Sequence, residues 1–109
     1  MERGGLMKRL KRKTTVEMLW PYVLNLLRER PMYAYELRNA IYQKFGFKPP
    51  MVSCYLVLNK LEKQGYTSSE WKDQRGRPAR KYYKITPKGI ELFKQVGDYF
   101  RELADKLSA

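Results

Sequence analysis

Histidine is absent from the 109-residue chain, and cysteine occurs once. The first absence removes the usual general base and the commonest metal ligand, and the second excludes an internal disulfide. No stretch fits a GxxxxGK[ST] phosphate loop or a GxGxxG fingerprint, and TPKG at Thr86–Gly89 is too short to cradle a phosphate alone. Neither catalysis nor a bound cofactor is expected. No apolar run approaches the roughly 20 residues that cross a bilayer. The basic start MERGGLMKRLKRKTT also lacks the apolar stretch of a secretory signal. A cytoplasmic protein with no membrane partner is therefore expected. The length suits one small domain, which gains from burying further surface against a second copy.

The formal charge of +12 is concentrated in two blocks. Residues 1–13 carry Arg3, Lys8, Arg9, Lys11, Arg12 and Lys13 against Glu2. Residues 72–88 carry Lys72, Arg75, Arg77, Arg80, Lys81, Lys84 and Lys88 against Asp73. The remainder is close to neutral. Clustered cations release counterions from a phosphate backbone, so charge confined in this way points to a polyanion; the bland alternative is a solvated face.

Along the chain, TTVEMLWPYVLNLLRER gives the first helical pattern, with Thr14 and Glu17 at capping-box spacing. Pro21 either kinks that helix or marks where its regular part begins. A second helix is predicted over Ala34–Lys44, ending at Gly46, with Leu37, Ile41 and Phe45 on one side. The third, MVSCYLVLNKLEKQ, ends at Gly65 and places Met51, Cys54, Tyr55, Val57, Leu58 and Leu61 on an apolar arc. Val52 and Leu56 fall on the opposite, otherwise polar side. YTSSEWK and KYYKIT favour strands around a basic loop, which makes a hairpin. Tyr82 and Tyr83 then point to opposite faces, so at most one packs inward. Thr86 followed by Pro87 starts a long last helix. Its residues Ile90, Phe93, Gly97, Phe100, Ala104 and Leu107 recur at alternating steps of three and four, the seam of helices that pack at a shallow angle.

The expected fold is mainly α with a small β-hairpin. A basic flexible arm (1–13) precedes a winged helix-turn-helix domain (14–86), and a C-terminal dimerisation helix (87–109) follows. In that geometry the third helix enters the major groove of double-stranded DNA while the wing meets the backbone or minor groove. Val52 and Leu56 are then placed to meet thymine methyls, Ser53 a base edge or phosphate, and Lys60 the backbone. The alternative for the two aliphatic residues is contact with another part of the protein.

On YAYEL at Tyr33–Leu37, SCYLVLNKLEKQGY at Ser53–Tyr66, EW at Glu70–Trp71 and GRPARKYYKITPKG at Gly76–Gly89, the chain resembles the PadR-like winged-helix transcriptional regulators. The resemblance covers roughly Val23 to Phe93 and is similar to the family's short type. Ala34 stands where that family usually has glycine. The resemblance implies a homodimeric repressor of operator DNA that pairs through its first and last helices and is released by a small hydrophobic effector. Carried over by position, Tyr35 and Tyr55 look like phosphate contacts, Pro50, Met51, Val52 and Ser53 like the groove-reading start of the recognition helix, and Arg75, Arg77, Arg80 and Lys81 like the wing. Lys48, just before that helix, joins the expected DNA contacts, and Leu56 and Lys60 extend them.

The expected dimer interface comprises Trp20, Tyr22, Leu26, Ile90, Phe93, Gly97, Phe100, Ala104 and Leu107, where Trp20 is placed to stack on a flat ligand. Trp71 is expected to pack on the domain, and Cys54 is expected in the core, with a redox switch as its alternative. The arm either grips DNA or serves as a solubilising tail. Two other classes compete with the repressor: an architectural, chromatin-like DNA-coating protein, and a winged-helix protein associated with RNA or ribosomes.

Overall fold

The computed structural model describes residues 4–109. The first three residues of the expected arm, including Glu2 and Arg3, lie outside the described residues. Five helices and three strands follow one another: α1 (Gly5–Lys13), α2 (Trp20–Leu27), β1 (Met32–Tyr33), α3 (Ala34–Phe45), α4 (Met51–Lys63), β2 (Thr67–Gln74), β3 (Arg77–Ile85) and α5 (Pro87–Ser108).

From Gly5 on, the expected flexible arm is helical. Its apolar residues Leu6, Met7 and Leu10 remain exposed. The Thr14–Glu17 pair sits at the opposite end of a helix from the one its spacing suggested. Thr14 closes α1, its hydroxyl donating to the Leu10 carbonyl at 2.8 Å. Glu17 reaches back to Arg12 at 3.0 Å and Lys13 at 2.9 Å. The next helix begins at Trp20 with Pro21 in its first turn, where a missing N–H costs nothing.

The core lies where α2, α3, α4 and the sheet meet. Val23, Leu24, Leu37, Ile41 and Leu58 are fully enclosed, with Leu26, Leu27, Met32, Leu61 and Tyr83 beside them. The expected apolar arc of α4 is inward at Cys54, Leu58 and Leu61, whereas Tyr55 turns out to the surface. Gly46 and Gly65, both at φ +82, end the turns after α3 and α4 as the sequence predicts.

The hairpin supplies two strands of a three-stranded sheet. β1, only two residues long, pairs antiparallel with β3 through Met32↔Tyr83 and Tyr33↔Tyr82, giving the order β1-β3-β2. β2 and β3 run on through the stretch expected to be a loop, so the wing's tip is reduced to Arg75 and Gly76, the latter at φ +68. Pro78 is tolerated in β3 because β1 ends before reaching it, leaving that edge without a second partner. Tyr83 is buried and Tyr82 half-buried, in line with strand alternation.

Thr86 caps α5: its side chain accepts from the Gly89 N–H at 3.1 Å. Gly89, Leu92 and Phe93 pack the first turns of α5 onto the domain. Beyond them Tyr99, Phe100, Leu103 and Leu107 are exposed.

Candidate nucleic-acid interface

Arg38 on α3 donates its Nε–H to the Pro49 carbonyl at 2.7 Å, fixing the approach to α4. Pro50 is the N-cap residue of α4 and has no side chain to satisfy the first N–H groups. That end of α4 is thus open to an acceptor from outside. From here the outer face of α4 presents Val52 and Leu56, 63% and 64% exposed. Neither meets another part of the chain to cover it, which is the arrangement a groove-reading face requires. Ser53 is half-buried beside them and Lys60 is exposed one turn beyond Leu56. Met51 is likewise half-buried, with part of its side chain packed against the core.

Tyr35 on α3 and Tyr55 on α4 are each about half exposed. Lys48 is exposed and lies 5.5 Å from the centroid of the Tyr42 ring. On the wing, Arg75 and Arg77 are exposed at the tip. Arg80 lays its guanidinium 4.4 Å from the Tyr33 ring centroid, a stacked position that holds it in one place. Lys81 is different from the other wing cations because it already has an internal partner, the Glu62 carboxylate of α4 at 3.4 Å. Burial works against its charge, but the Tyr83 phenol and Glu62 outweigh burial and hold the ammonium above the usual lysine range. Glu62 also accepts from the Ser69 hydroxyl, so one carboxylate joins α4 to both strands of the hairpin.

Two residues escaped sequence reasoning. Glu62 gave no signal, since an acid in a basic protein reads as solubilising. Trp71 was expected to pack on the domain, yet it is 67% exposed. The strand-end reading placed it too near the core. β2 continues to Gln74, which carries Trp71 past the core's edge, opposite Lys81.

The residues expected at a dimer interface divide. Leu26 is 3% exposed and belongs to the core, so it has no surface to offer a partner. Tyr22 is likewise engaged internally: its hydroxyl donates to the Thr14 carbonyl, and its ring stands edge-on to Phe45 and Phe47. Phe93 packs on the core beneath the Arg28 guanidinium. Leu26 is enclosed, and Tyr22 half-buried, because the apolar residues of α2 surround a short helix. Ile90, Phe100, Ala104 and Leu107 lie exposed on α5, and Gly97 is half-buried. Trp20 stays at the mouth of a groove of about 340 Å³ with Met18, Pro21, Leu92, Val96 and Phe100.

Cys54 is fully buried, and burial pushes its thiol above the ordinary range despite the opposing charge of Arg38. A raised thiol is a poor peroxide target. Peroxide is expected to leave DNA binding unchanged, and a thiol reagent should label the native protein only as fast as it unfolds. The folded state keeps this proton where the unfolded chain loses it. The thiol's contribution is therefore intact below about pH 8.5 and is lost as pH rises above it. Urea midpoints at pH 7 and pH 10 should differ less in Cys54→Ala than in the wild type.

A short helix-turn-helix whose second helix exposes its outer face, followed by a basic two-stranded wing, defines a winged helix-turn-helix protein. Residues 23–95 match the Transcriptional regulator PadR-like family, and the chain belongs to that family, which implies DNA binding. Among solved structures, it is similar to a PadR family transcriptional regulator from Eggerthella lenta, at 30% identity with a TM-score of 0.80, covering 96% of this chain and 88% of that one. A transcriptional regulator from Clostridium thermocellum is 32% identical with a TM-score of 0.73, covering 82% and 87%. A Streptococcus transcriptional regulator is 26% identical with a TM-score of 0.69, covering 84% and 92%. No curated protein matches the chain.

Proposed function

We propose that the protein is a homodimeric repressor that reads a palindromic operator, with α4 in the major groove and the wing on the backbone or minor groove. The observation that carries this reading is the pair Val52 and Leu56, left uncovered on α4 and flanked by cations and tyrosines. An aliphatic pair contributes nothing to phosphate binding, whereas it discriminates thymine from other bases. Selection of bound fragments from the source genome tests the proposal. It should return an inverted repeat whose half-sites lie about 34–36 Å apart, or a multiple of that. A specificity ratio near one between that repeat and random duplex would instead favour architectural coating of DNA.

Pairing of two copies is assigned to α5, whose distal half exposes Tyr99, Phe100, Leu103 and Leu107. Phe100→Glu should convert the dimer to monomer in sedimentation while leaving the helix content intact. The groove at Trp20 supports release by a small hydrophobic effector, since it is mostly apolar and adjoins that same surface. Small hydrophobic aromatic compounds added at increasing concentration would then lower operator affinity, and Trp20→Ala would blunt the response.

A further inference from the structure

We propose that Trp71 is a DNA-contact residue, packing its indole on a deoxyribose where the recognition helix and the wing meet. The inference rests on the DNA-bound reading of α4 and the wing given above. Thr67, Ser69 and Trp71 share the inner face of β2, opposite Ile85, Tyr83 and Lys81. Thr67 is buried and Ser69 half-buried, so that face covers the core at its first two positions and leaves it at the third. There Trp71 borders a cleft of about 350 Å³ walled by Tyr33, Tyr55, Ala79, Arg80 and Lys81.

An indole held open to water forfeits the stabilisation that burying a large apolar side chain provides, and tryptophan is enriched where a partner later covers it. The cleft identifies the partner. Its two charged walls, Arg80 and Lys81, are both cations, and the one acid in contact, Glu62, is the partner of Lys81. Glu70, next to Trp71, points to the opposite face and lies 3.9 Å from Lys72. A flat apolar surface beside two cations fits a sugar joined to a phosphate. In a duplex the bases stay stacked, so the backbone offers only that combination outside the grooves. A second copy fits poorly, because it brings the same charge of +12 and the same basic wing. Tyr55 stands on α4 at the opposite wall, which puts the cleft beside the groove-reading face. The indole N–H supplies a donor toward a phosphate oxygen.

The test uses full-length protein with both tryptophans fluorine-labelled, and Trp71→Phe assigns the two resonances. On titration with the selected operator, and equally with random duplex, the Trp71 resonance is expected to shift. Trp71→Ala should weaken both complexes about tenfold and Trp71→Phe less, because the ring face remains. Melting temperatures should stay at the wild-type value, since an exposed side chain leaves no cavity. A Trp71 resonance unmoved at saturating duplex overturns the proposal, as does a large fall in melting temperature for Trp71→Phe. If Arg77→Ala still weakens binding in that case, only the role of Trp71 fails. If Arg77→Ala has no effect either, the DNA-bound wing fails with it.

Discussion

Gly89→Ala is expected to destabilise the protein by about 3 kcal/mol or more, beyond the usual cost of an overpacked methyl. Alanine is the better helix former by about 1 kcal/mol, so propensity alone predicts the opposite sign. The obstacle is space. A Cβ on Gly89 would stand 2.1 Å from the Tyr66 carbonyl oxygen and 2.8 Å from the Ile85 side chain. The Tyr66 carbonyl is not free to retreat, because it accepts the Thr86 N–H at 3.1 Å. Either α5 lifts from the domain or the turn after α4 breaks. Thermal unfolding should show the loss as a fall of roughly 4–8 °C per kcal/mol for a domain of this size. An unchanged melting temperature would mean that this close approach is not present in solution.

The second large effect is on binding. Arg77→Ala with Arg80→Ala is expected to weaken operator and random duplex alike, and to lower the salt slope of binding by about 1.8 if each removes one phosphate contact. Single variants separate two causes. Arg77 stands free at the wing, so its loss is purely electrostatic. Arg80 is stacked on Tyr33, so its removal also frees that ring and should cost more than its charge accounts for. Leu56→Ala should behave in the reverse manner, shifting preference at one base pair by roughly 1–3 kcal/mol and leaving the slope alone. Wild-type affinity at low salt in Arg77→Ala would remove the wing from the interface.

Those contrasts follow the line between what local sequence specifies and what only packing decides. The ends of α3 and α4 were legible because Gly46 and Gly65 supply a left-handed residue where a helix stops. Thr86-Pro87 was legible for the same kind of local reason, a hydroxyl cap beside a residue that lacks an N–H. Val52 and Leu56 were legible as exceptions to an amphipathic pattern, which is why an uncovered outer face of α4 could be placed before its surroundings were known. Thr14 was misread because a threonine near a helix end can bond backward to carbonyls as well as forward to N–H groups. β1 left no pattern at all, since two residues cannot show a period. The position of Trp71 depended on how far β2 runs, and that is set by cross-strand pairing with β3 rather than by the residues of β2 alone. Leu26 looked available only because a short, thoroughly apolar helix does not announce which of its sides is enclosed.

One junction connects the two halves of the molecule. Three successive carbonyls at the end of α4 are held by the start of α5: Gln64 by Lys88 at 2.7 Å, Gly65 by the Thr86 hydroxyl at 2.7 Å and Tyr66 by the Thr86 N–H. With Gly89 pressed against the same turn, this corner has no slack, and the two helices turn as the arms of a bell crank. In the proposed homodimer, paired through α5, the angle at which those helices cross would set the distance between the two α4 helices. A small change in that angle, made far from any phosphate, would move the two α4 helices of that proposed dimer out of step with the helical repeat of DNA.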